Sequence, residues 1–264
     1  MSSWQSGTVD VSGGRLAYHR TGGAGPPLVL SHGLTDNGLC WSRFAADMEP
    51  HFDIIMLDAR GHGGSSRIDL AQPAVPGQDI AEAIDQLGLA SLVVMGHSVA
   101  ALATAACAGG YPGRISKVVL EDPPLPPNPD PSAAEARRRR FRRQVETLQA
   151  MTEAEITAVG KAMSPGWHDD EFPAWTAAKR QVDADAIPSH GAPWQDSIAR
   201  ITAPTLLIHG EATRGCLVTP AVAAEAGAMN ANIRTVEISG AGHNIRRENF
   251  ADYLSAVRAF LLAP

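Results

Sequence analysis

Short apolar runs alternate with amphipathic helical segments along most of the chain. From Pro27 onward each run ends at a glycine, an aspartate or a charged turn, and the segments between runs repeat apolar residues at helical spacing. The pattern predicts strands at Leu28–Ser31, Asp53–Asp58, Leu92–Met95, Lys117–Leu120, Thr205–Ile208 and Ile233–Ile238. Strands that alternate with helices predict an α/β fold with a mostly parallel, doubly wound sheet. In such sheets the ligand crevice lies at the carboxyl ends of the strands.

A proline-rich segment interrupts this alternation after the fourth predicted strand. Six prolines fall within residues 123–131, and prolines at this density prevent a regular helix or a central strand. Residues 132–198 then show helical patterns rich in alanine, arginine and tryptophan, without a convincing strand. We therefore expect a core domain formed by residues 1–122 and 199–264, with residues 123–198 inserted as a helical cap.

Composition and charge narrow the classes of partner. The 264 residues carry a formal net charge of −6, which argues against a nucleic-acid-binding surface. A local exception is the run Arg137–Arg143, which contains six arginines and is interpreted as the solvated face of a helix. No signal-peptide pattern and no apolar run of about 18 residues is present, so we expect a cytoplasmic protein without membrane contact. The oligomeric state stays open, a homodimer included.

The three cysteines do not point to a structural framework. They are widely spaced, odd in number and without CxxC spacing, so neither a disulfide network nor a zinc site is indicated. We expect no metal and a reducing compartment.

Ser98 lies in the sequence context of a nucleophile. The segment Gly96-His97-Ser98-Val99-Ala100 follows an apolar strand and precedes a helix of small residues. A G-x-S-x-G motif in this context forms a sharp turn that exposes the serine Oγ above the sheet. Here Ala100, the nearest small substitute, takes the place of the last glycine. The alternative is a serine that only caps the following helix.

Four segments, in the same order along the chain, resemble the α/β-hydrolase family. Ser31-His32-Gly33-Leu34 follows the first predicted strand and is similar to the family's His-Gly oxyanion loop. The turn Asp58–Ser65 resembles its D-x-R-G-x-G-x-S motif, and the elbow at Ser98 comes next. Gly240-Ala241-Gly242-His243, after the last predicted strand, resembles the loop that carries the catalytic histidine.

The resemblance implies a role for several of these residues. His243 would be the general base, and a histidine that is neutral near pH 7 has the right chemistry for this role. The backbone N–H groups of Leu34 and Val99 would form the oxyanion hole. Such a mechanism requires neither a metal nor another cofactor.

The catalytic acid departs from the common family pattern. Many relatives carry it in a Gly-x-x-Asp turn after the penultimate strand, where this chain has Thr213, which cannot hold a negative charge. An earlier strand ends in Glu121-Asp122, and this layout is similar to haloalkane dehalogenases, pancreatic lipases and zearalenone lactonases. Asp122 is therefore the predicted acid, with Glu121 and Glu211 as alternatives. Alternation along a strand should send Glu121 and Asp122 to opposite sides.

Serine, histidine and a carboxylate beside an oxyanion hole are typical of acyl transfer to water. We therefore predict a serine hydrolase that cleaves a carboxylic ester or lactone of a small molecule. Trp41 lies after the oxyanion loop, and Trp167 and Trp194 lie in the cap. These rings predict a pocket for an apolar or aromatic substrate, and the alternative for any one of them is packing inside the cap. Two alternatives stay open: a hydrolase that cleaves carbon–carbon bonds of ring-cleavage diketones, and a non-catalytic binding protein with the same fold.

Overall fold

An eight-stranded sheet forms the centre of the protein in a computed structural model that describes residues 4–125, 134–187 and 193–263. The strands are β1 (Gln5–Val11), β2 (Gly14–Arg20), β3 (Pro27–Ser31), β4 (Asp53–Leu57), β5 (Leu92–His97), β6 (Ile115–Glu121), β7 (Thr205–His209) and β8 (Ile233–Glu237). Their spatial order is β1-β2-β4-β3-β5-β6-β7-β8. Strands β3 to β8 run parallel, whereas β1 and β2 pair in antiparallel fashion. The predicted α/β class and mostly parallel sheet are confirmed.

Helices cover both faces of this sheet. They are α1 (Ser42–Met48), α2 (Pro76–Gln86), α3 (Val99–Gly110), α4 (Ala134–Gln149), α5 (Glu153–Met163), α6 (Phe172–Gln181), α7 (Trp194–Arg200), α8 (Pro220–Met229), α9 (Ile245–Glu248) and α10 (Phe250–Leu261). Side chains of α2, α3, α7 and α8 join the core on one face, and those of α1, α9 and α10 join the core on the other. Among the described residues, no helix has both the length and the apolar character needed to cross a membrane.

The central strands contribute to both cores. In β5, Leu92 and Val94 point into one core, while Val93 and Met95 point into the other. A strand that is buried on both faces needs apolar residues at every position, which explains the continuous apolar runs in the sequence. Stacking these strands in parallel brings their carboxyl ends, with the residues that follow them, to one edge of the sheet.

The segment between β6 and β7 contains the helices that the sequence analysis predicts as a cap, and the name cap is kept for them below. Helices α4 and α5 each pack against α6, and Phe141 and Val145 of α4 form a small core with Val182 and Ala186, which follow α6. Most of the proline run lies outside the described residues, at 126–133. At the other end, α7 packs against α3 on the sheet, with Ile198 in the main core. The structure therefore assigns α7 to the core layer, although its apolar residues fall inside the predicted cap range.

The β1–β2 hairpin was not among the predicted strands. Its apolar residues alternate with polar ones, and Val9, Val11 and Leu16 are the ones buried against α2 and its neighbours. The polar positions between them are exposed at the sheet edge, which is the pattern of an antiparallel strand with one solvated face.

Candidate active site

Ser98 lies in a strained turn between β5 and α3. Its backbone has φ 58° and ψ −129°, a left-handed conformation that non-glycine residues rarely adopt. The turn brings strand and helix very close, since a Cβ on Gly96 would lie 2.5 Å from the Ala100 carbonyl oxygen. The Ser98 N–H donates to the Glu121 carbonyl oxygen at 2.8 Å, which ties the turn to the end of β6. Backbone strain of this kind persists where surrounding structure fixes it, and it often marks a functional position.

His243 reaches Ser98 from the loop between β8 and α9. The Ser98 hydroxyl lies 3.1 Å from His243 Nε2, within hydrogen-bonding distance. Carboxylates and a ring nitrogen fix the backbone of this loop: Glu211 accepts from the Gly240 N–H at 2.7 Å, and His97 Nε2 lies 3.1 Å from the His243 carbonyl oxygen. The imidazole is thus held by a loop whose main chain is anchored on both sides.

Asp122 completes the chain of hydrogen bonds. Its Oδ2 lies 2.6 Å from His243 Nδ1, and the side chain is fully buried. The same carboxylate accepts from the N–H groups of Leu217 at 2.8 Å and Val218 at 2.9 Å. The segment after β7, which carries the acid in many relatives, here supplies backbone donors that orient an acid located directly after β6.

The two alternative acids lie elsewhere. Glu121 points to the opposite side of the sheet, where it accepts from Tyr253 Oη at 3.1 Å and pairs with Arg246 at 3.2 Å. Burial raises the pKa of Glu121, against the opposing effect of Arg246. Glu211 binds the main chain of the His243 loop rather than its ring. Asp122 is the carboxylate that contacts the imidazole.

Three other histidines near the site are buried and contact backbone. His32 accepts from the Ala59 N–H at 3.0 Å, and His62 Nε2 lies 2.7 Å from the Leu34 carbonyl oxygen. Burial lowers the pKa of all three rings, to about 4 for His62 and well below the usual value for His97. These rings therefore stay neutral and shape the loops around Ser98 and His243.

A cavity of about 470 Å³ includes Val99 and Ala100, which follow Ser98 directly, in its wall, although Ser98 and His243 themselves are not among its lining residues. This volume is within the range of about 300–1,000 Å³ that is typical of small-molecule sites. The two residues expected to form the oxyanion hole, Leu34 and Val99, both line it. Val99 is the first residue of α3, so its N–H has no acceptor within the helix. Gly33 also lines the cavity, and a Cβ there would lie 3.6 Å from the Ser98 Cβ, which places this wall next to the serine.

The predicted tryptophans lie outside this cavity. Trp41 is fully buried beneath the sheet, with the Arg246 guanidinium 4.1 Å from its ring centre. Trp194 is part of the core between α7 and α3. Trp167 packs within the cap on Phe172, at 5.9 Å between ring centres. The prediction that these tryptophans line the pocket is therefore corrected, because none of them lines this cavity. They stabilise the core and the cap instead, since large rings bury a large area against other side chains.

The cavity wall includes residues that the sequence analysis did not assign to a site. Arg138, Arg139 and Arg142 of α4 line it, together with Glu135 and Asp185. The arginine run was interpreted as a solvated helix face. The spacing of these residues at three and four positions is the available signal, because it places them on one side of a helix.

A cluster of buried charges lies beneath the oxyanion loop. We call it the buried charge cluster, and its members are Asp36, Glu121, Glu171, Lys179, Arg246 and Arg247. Asp36 is shared by three cations, with Lys179 Nζ at 3.1 Å, Arg247 at 3.0 Å and Arg246 at 3.5 Å. Burial acts to raise the pKa of Asp36, but the three positive charges hold it well below its usual value. The cluster joins the oxyanion loop, the cap helix α6 and the segment after His243.

Ser98, His243 and Asp122 meet at the carboxyl edge of a mostly parallel sheet. This fold and this arrangement are those of a hydrolase. The model of the alpha/beta hydrolase family matches residues 28–255. The chain therefore belongs to the alpha/beta hydrolase family, as its sequence motifs predict.

Two curated relatives match nearly the whole chain. The chain is 28% identical to N-formylmaleamate deformylase of Pseudomonas putida, over 98% of this chain and 97% of the relative. It is 25% identical to 2-(acetamidomethylene)succinate hydrolase of Mesorhizobium japonicum, over 96% and 94% of the two chains.

Solved structures show the same fold. E-2-(acetamidomethylene)succinate hydrolase superposes with a TM-score of 0.78 at 21% identity, covering 98% of this chain and 100% of that one. The enol-lactonase of Burkholderia xenovorans superposes with a TM-score of 0.73 at 24% identity, covering 97% and 100%. At these identities the likeness concerns the fold.

Proposed function

We propose that the protein hydrolyses a carboxylic ester or lactone of a small molecule through an acyl-enzyme on Ser98. The observation that carries this proposal is the chain of hydrogen bonds from Ser98 Oγ through both nitrogens of His243 to the buried Asp122, with Leu34 and Val99 in the wall of a cavity of about 470 Å³. A serine alone is a weak nucleophile, and an adjacent base oriented by a third group is what activates it.

The chemistry proceeds in two balanced halves. Ser98 Oγ attacks the substrate carbonyl carbon while its proton moves to His243 Nε2. The carbonyl oxygen gains negative charge and accepts hydrogen bonds from the Leu34 and Val99 N–H groups. The bond to the leaving group breaks, and that group takes the proton from Nε2. A water molecule then attacks the acyl-enzyme with the same base, releasing the acid and restoring Ser98.

The cavity supports a substrate with an apolar body. Its buried inner wall is formed by Leu16, Leu57 and Ile80, which favours aliphatic or aromatic groups over strongly hydrated ones. This preserves the predicted apolar substrate while replacing the predicted aromatic wall with an aliphatic one.

An amide is the second candidate for the scissile bond. The names of the two full-length relatives, N-formylmaleamate deformylase and 2-(acetamidomethylene)succinate hydrolase, both describe N-acyl compounds. The same acyl-enzyme steps cleave an amide, with the amine as leaving group. Carbon–carbon cleavage of a ring-cleavage diketone and non-catalytic binding are outcomes of the test below.

Labelling and a substrate panel test the proposal. A fluorophosphonate probe should label the wild type and fail to label Ser98→Ala. The panel contains 4-nitrophenyl esters, an aromatic lactone, an N-formyl amide and a ring-cleavage dienone, each followed by absorbance. Turnover of esters or lactones supports the proposal. Turnover of the dienone alone, or no labelling and no turnover of any compound, overturns it.

Replacement of the acid gives the sharpest prediction. In Asp122→Asn the amide NH₂ would face His243 Nδ1, so the ring would present a protonated Nε2 to Ser98 and could not take its proton. We expect kcat on a 4-nitrophenyl ester to fall by about three to four orders of magnitude. The matched control is Glu211→Gln, which keeps the hydrogen bond to Gly240 and should change kcat less than about threefold. A large loss in Glu211→Gln with none in Asp122→Asn contradicts the assignment.

A further inference from the structure

One face of α4 forms part of the cavity wall. Glu135, Arg138, Arg139 and Arg142 line the cavity. Arg138 and Arg139 come three and four residues after Glu135, and Arg142 comes four and three residues after them, which places all of them on one side of the helix. The arginines are solvent-exposed, in contrast to the buried aliphatic residues of the inner wall. The cavity is therefore apolar next to the sheet and cationic where the cap borders solvent.

The charges that line the cavity do not cancel. Arg60 and Asp79 form a closed pair, with Nε–Oδ2 at 2.8 Å and a second bond at 2.9 Å. The three α4 arginines face two carboxylates, Glu135 and Asp185. Among the described residues that line the cavity, four arginines thus stand with three carboxylates.

The pairs that α4 makes are open to exchange. Arg139 Nε lies 3.9 Å from Glu135, and both side chains are more than 60% exposed. Arg142 pairs with Asp185 at the surface, where it is 50% exposed. Exposed ion pairs contribute little free energy because water and salt screen them. A substrate carboxylate can therefore compete for these guanidinium groups.

We propose that the arginine face of α4 binds a carboxylate on the substrate, so that the enzyme acts on anionic acyl compounds with an apolar body. This proposal rests on the proposed function of Ser98. The planar guanidinium group forms paired hydrogen bonds with a carboxylate, and such charge-assisted bonds are the strong ones. The arginine face selects and orients the substrate end farthest from the scissile carbonyl, and it takes no part in bond cleavage.

Two esters with the same leaving group test the proposal. Mono-4-nitrophenyl glutarate carries a carboxylate where 4-nitrophenyl pentanoate carries a methyl group. The wild type should show a kcat/KM at least about tenfold higher for the glutarate ester, as expected for a charge-assisted hydrogen bond. In Arg139→Gln/Arg142→Gln this preference should fall about tenfold, through the KM of the glutarate ester.

The matched control removes the same number of positive charges from the same helix. Arg140→Gln/Arg143→Gln removes two arginines at the same spacing from positions of α4 that are not among the cavity-lining residues. It should retain the preference for the glutarate ester. Equal rates for the two esters in the wild type, or the same loss in both double variants, overturns the proposal.

A binding measurement separates this proposal from the function of Ser98. Calorimetric titration of Ser98→Ala with monomethyl glutarate needs no turnover. Binding that weakens about tenfold when Arg139 and Arg142 are also replaced supports the anion site even if no ester is hydrolysed. Undetectable binding together with normal hydrolysis of the pentanoate ester rejects the anion site and leaves the proposed function standing.

Discussion

The buried charge cluster and the arginine face of α4 both place cations near the oxyanion loop, but in opposite environments. In the cluster, the side chains of Lys179, Arg246 and Arg247 are only 3%, 2% and 1% exposed, and each faces a buried carboxylate. On α4, Arg139 and Arg142 are 64% and 50% exposed. Removing a charge from water costs several kcal/mol, so a buried cation is kept only with a fixed partner. An exposed cation stays free to change partners.

This difference separates a structural role from a binding role. The buried charge cluster ties Asp36, two residues after Leu34, to Lys179 of the cap and to Arg247, four residues after His243. Lys179 Nζ also donates to the Thr35 carbonyl oxygen at 2.8 Å. The cluster therefore fixes the oxyanion loop, the cap and the histidine loop relative to one another. On the arginine face, Arg139 and Arg142 pair instead with Glu135 and Asp185, close to solvent.

The largest expected effect comes from neutralising the shared carboxylate of the cluster. Asp36→Asn leaves three cations buried with one carboxylate fewer. We expect the free energy of unfolding to fall by about 3–5 kcal/mol. Urea unfolding followed by circular dichroism at pH 7.5 measures the change.

An exposed aspartate is the control for this experiment. Asp47 pairs with Arg258 at 3.8 Å, and both side chains are 40% exposed. Asp47→Asn should cost less than about 1 kcal/mol. Equal losses in the two variants would show that burial does not set the importance of these charges.

The sequence revealed the site because its residues follow strand ends. Ser98, Asp122 and His243 each come just after an apolar run, and parallel strands bring such positions to one edge of the sheet. The side on which Glu121 lies also follows from strand alternation. The local sequence pattern was sufficient to predict the position of a residue wherever the course of the main chain alone fixes that position.

The local sequence pattern did not predict which residues line the pocket. An aromatic residue in the sequence indicates a buried side chain, but burial in a packed core and a position in a cavity wall give the same pattern. Trp41 and Trp194 are buried in cores, and tertiary packing decides this. An arginine run indicates exposed side chains, and such side chains occur both on a solvated helix face and on the wall of an open cavity. The position of Arg142 in the cavity wall depends on how the segment between β6 and β7 packs in three dimensions.

Acid should weaken the folded state before Asp36 takes up a proton. In the unfolded chain a histidine takes up a proton near pH 6.5, whereas burial lowers the folded pKa of His62 to about 4. The unfolded state therefore binds more protons between these values, and stability falls as pH falls. Each such histidine contributes about 1.4 kcal/mol per pH unit. Asp36, whose folded pKa is lowered below an unfolded value near 3.9, loses its contribution only at lower pH.

A variant isolates this histidine contribution from opposing groups. Glu121, whose pKa is raised, acts in the opposite direction in part of the same range. The measured quantity is therefore the difference in slope between wild type and His62→Gln, from urea unfolding at pH 7.5, 6.5, 5.5 and 4.5. His51→Gln, at an exposed position, should keep the wild-type slope. A slope unchanged in His62→Gln would show that this ring takes up its proton over the same pH range in the folded and the unfolded protein.

The smallest effect on stability is expected at the arginine face, and it completes the comparison. Arg139→Gln/Arg142→Gln removes two exposed pairs whose charges are screened, so the free energy of unfolding should change by less than about 1 kcal/mol. Urea unfolding beside Asp36→Asn gives this value under the same conditions. If the double variant lost as much stability as Asp36→Asn, its arginines would be structural, and a weaker preference for the carboxylate ester would report a displaced cap. A small change in stability with a large change in preference is the result that assigns recognition to α4.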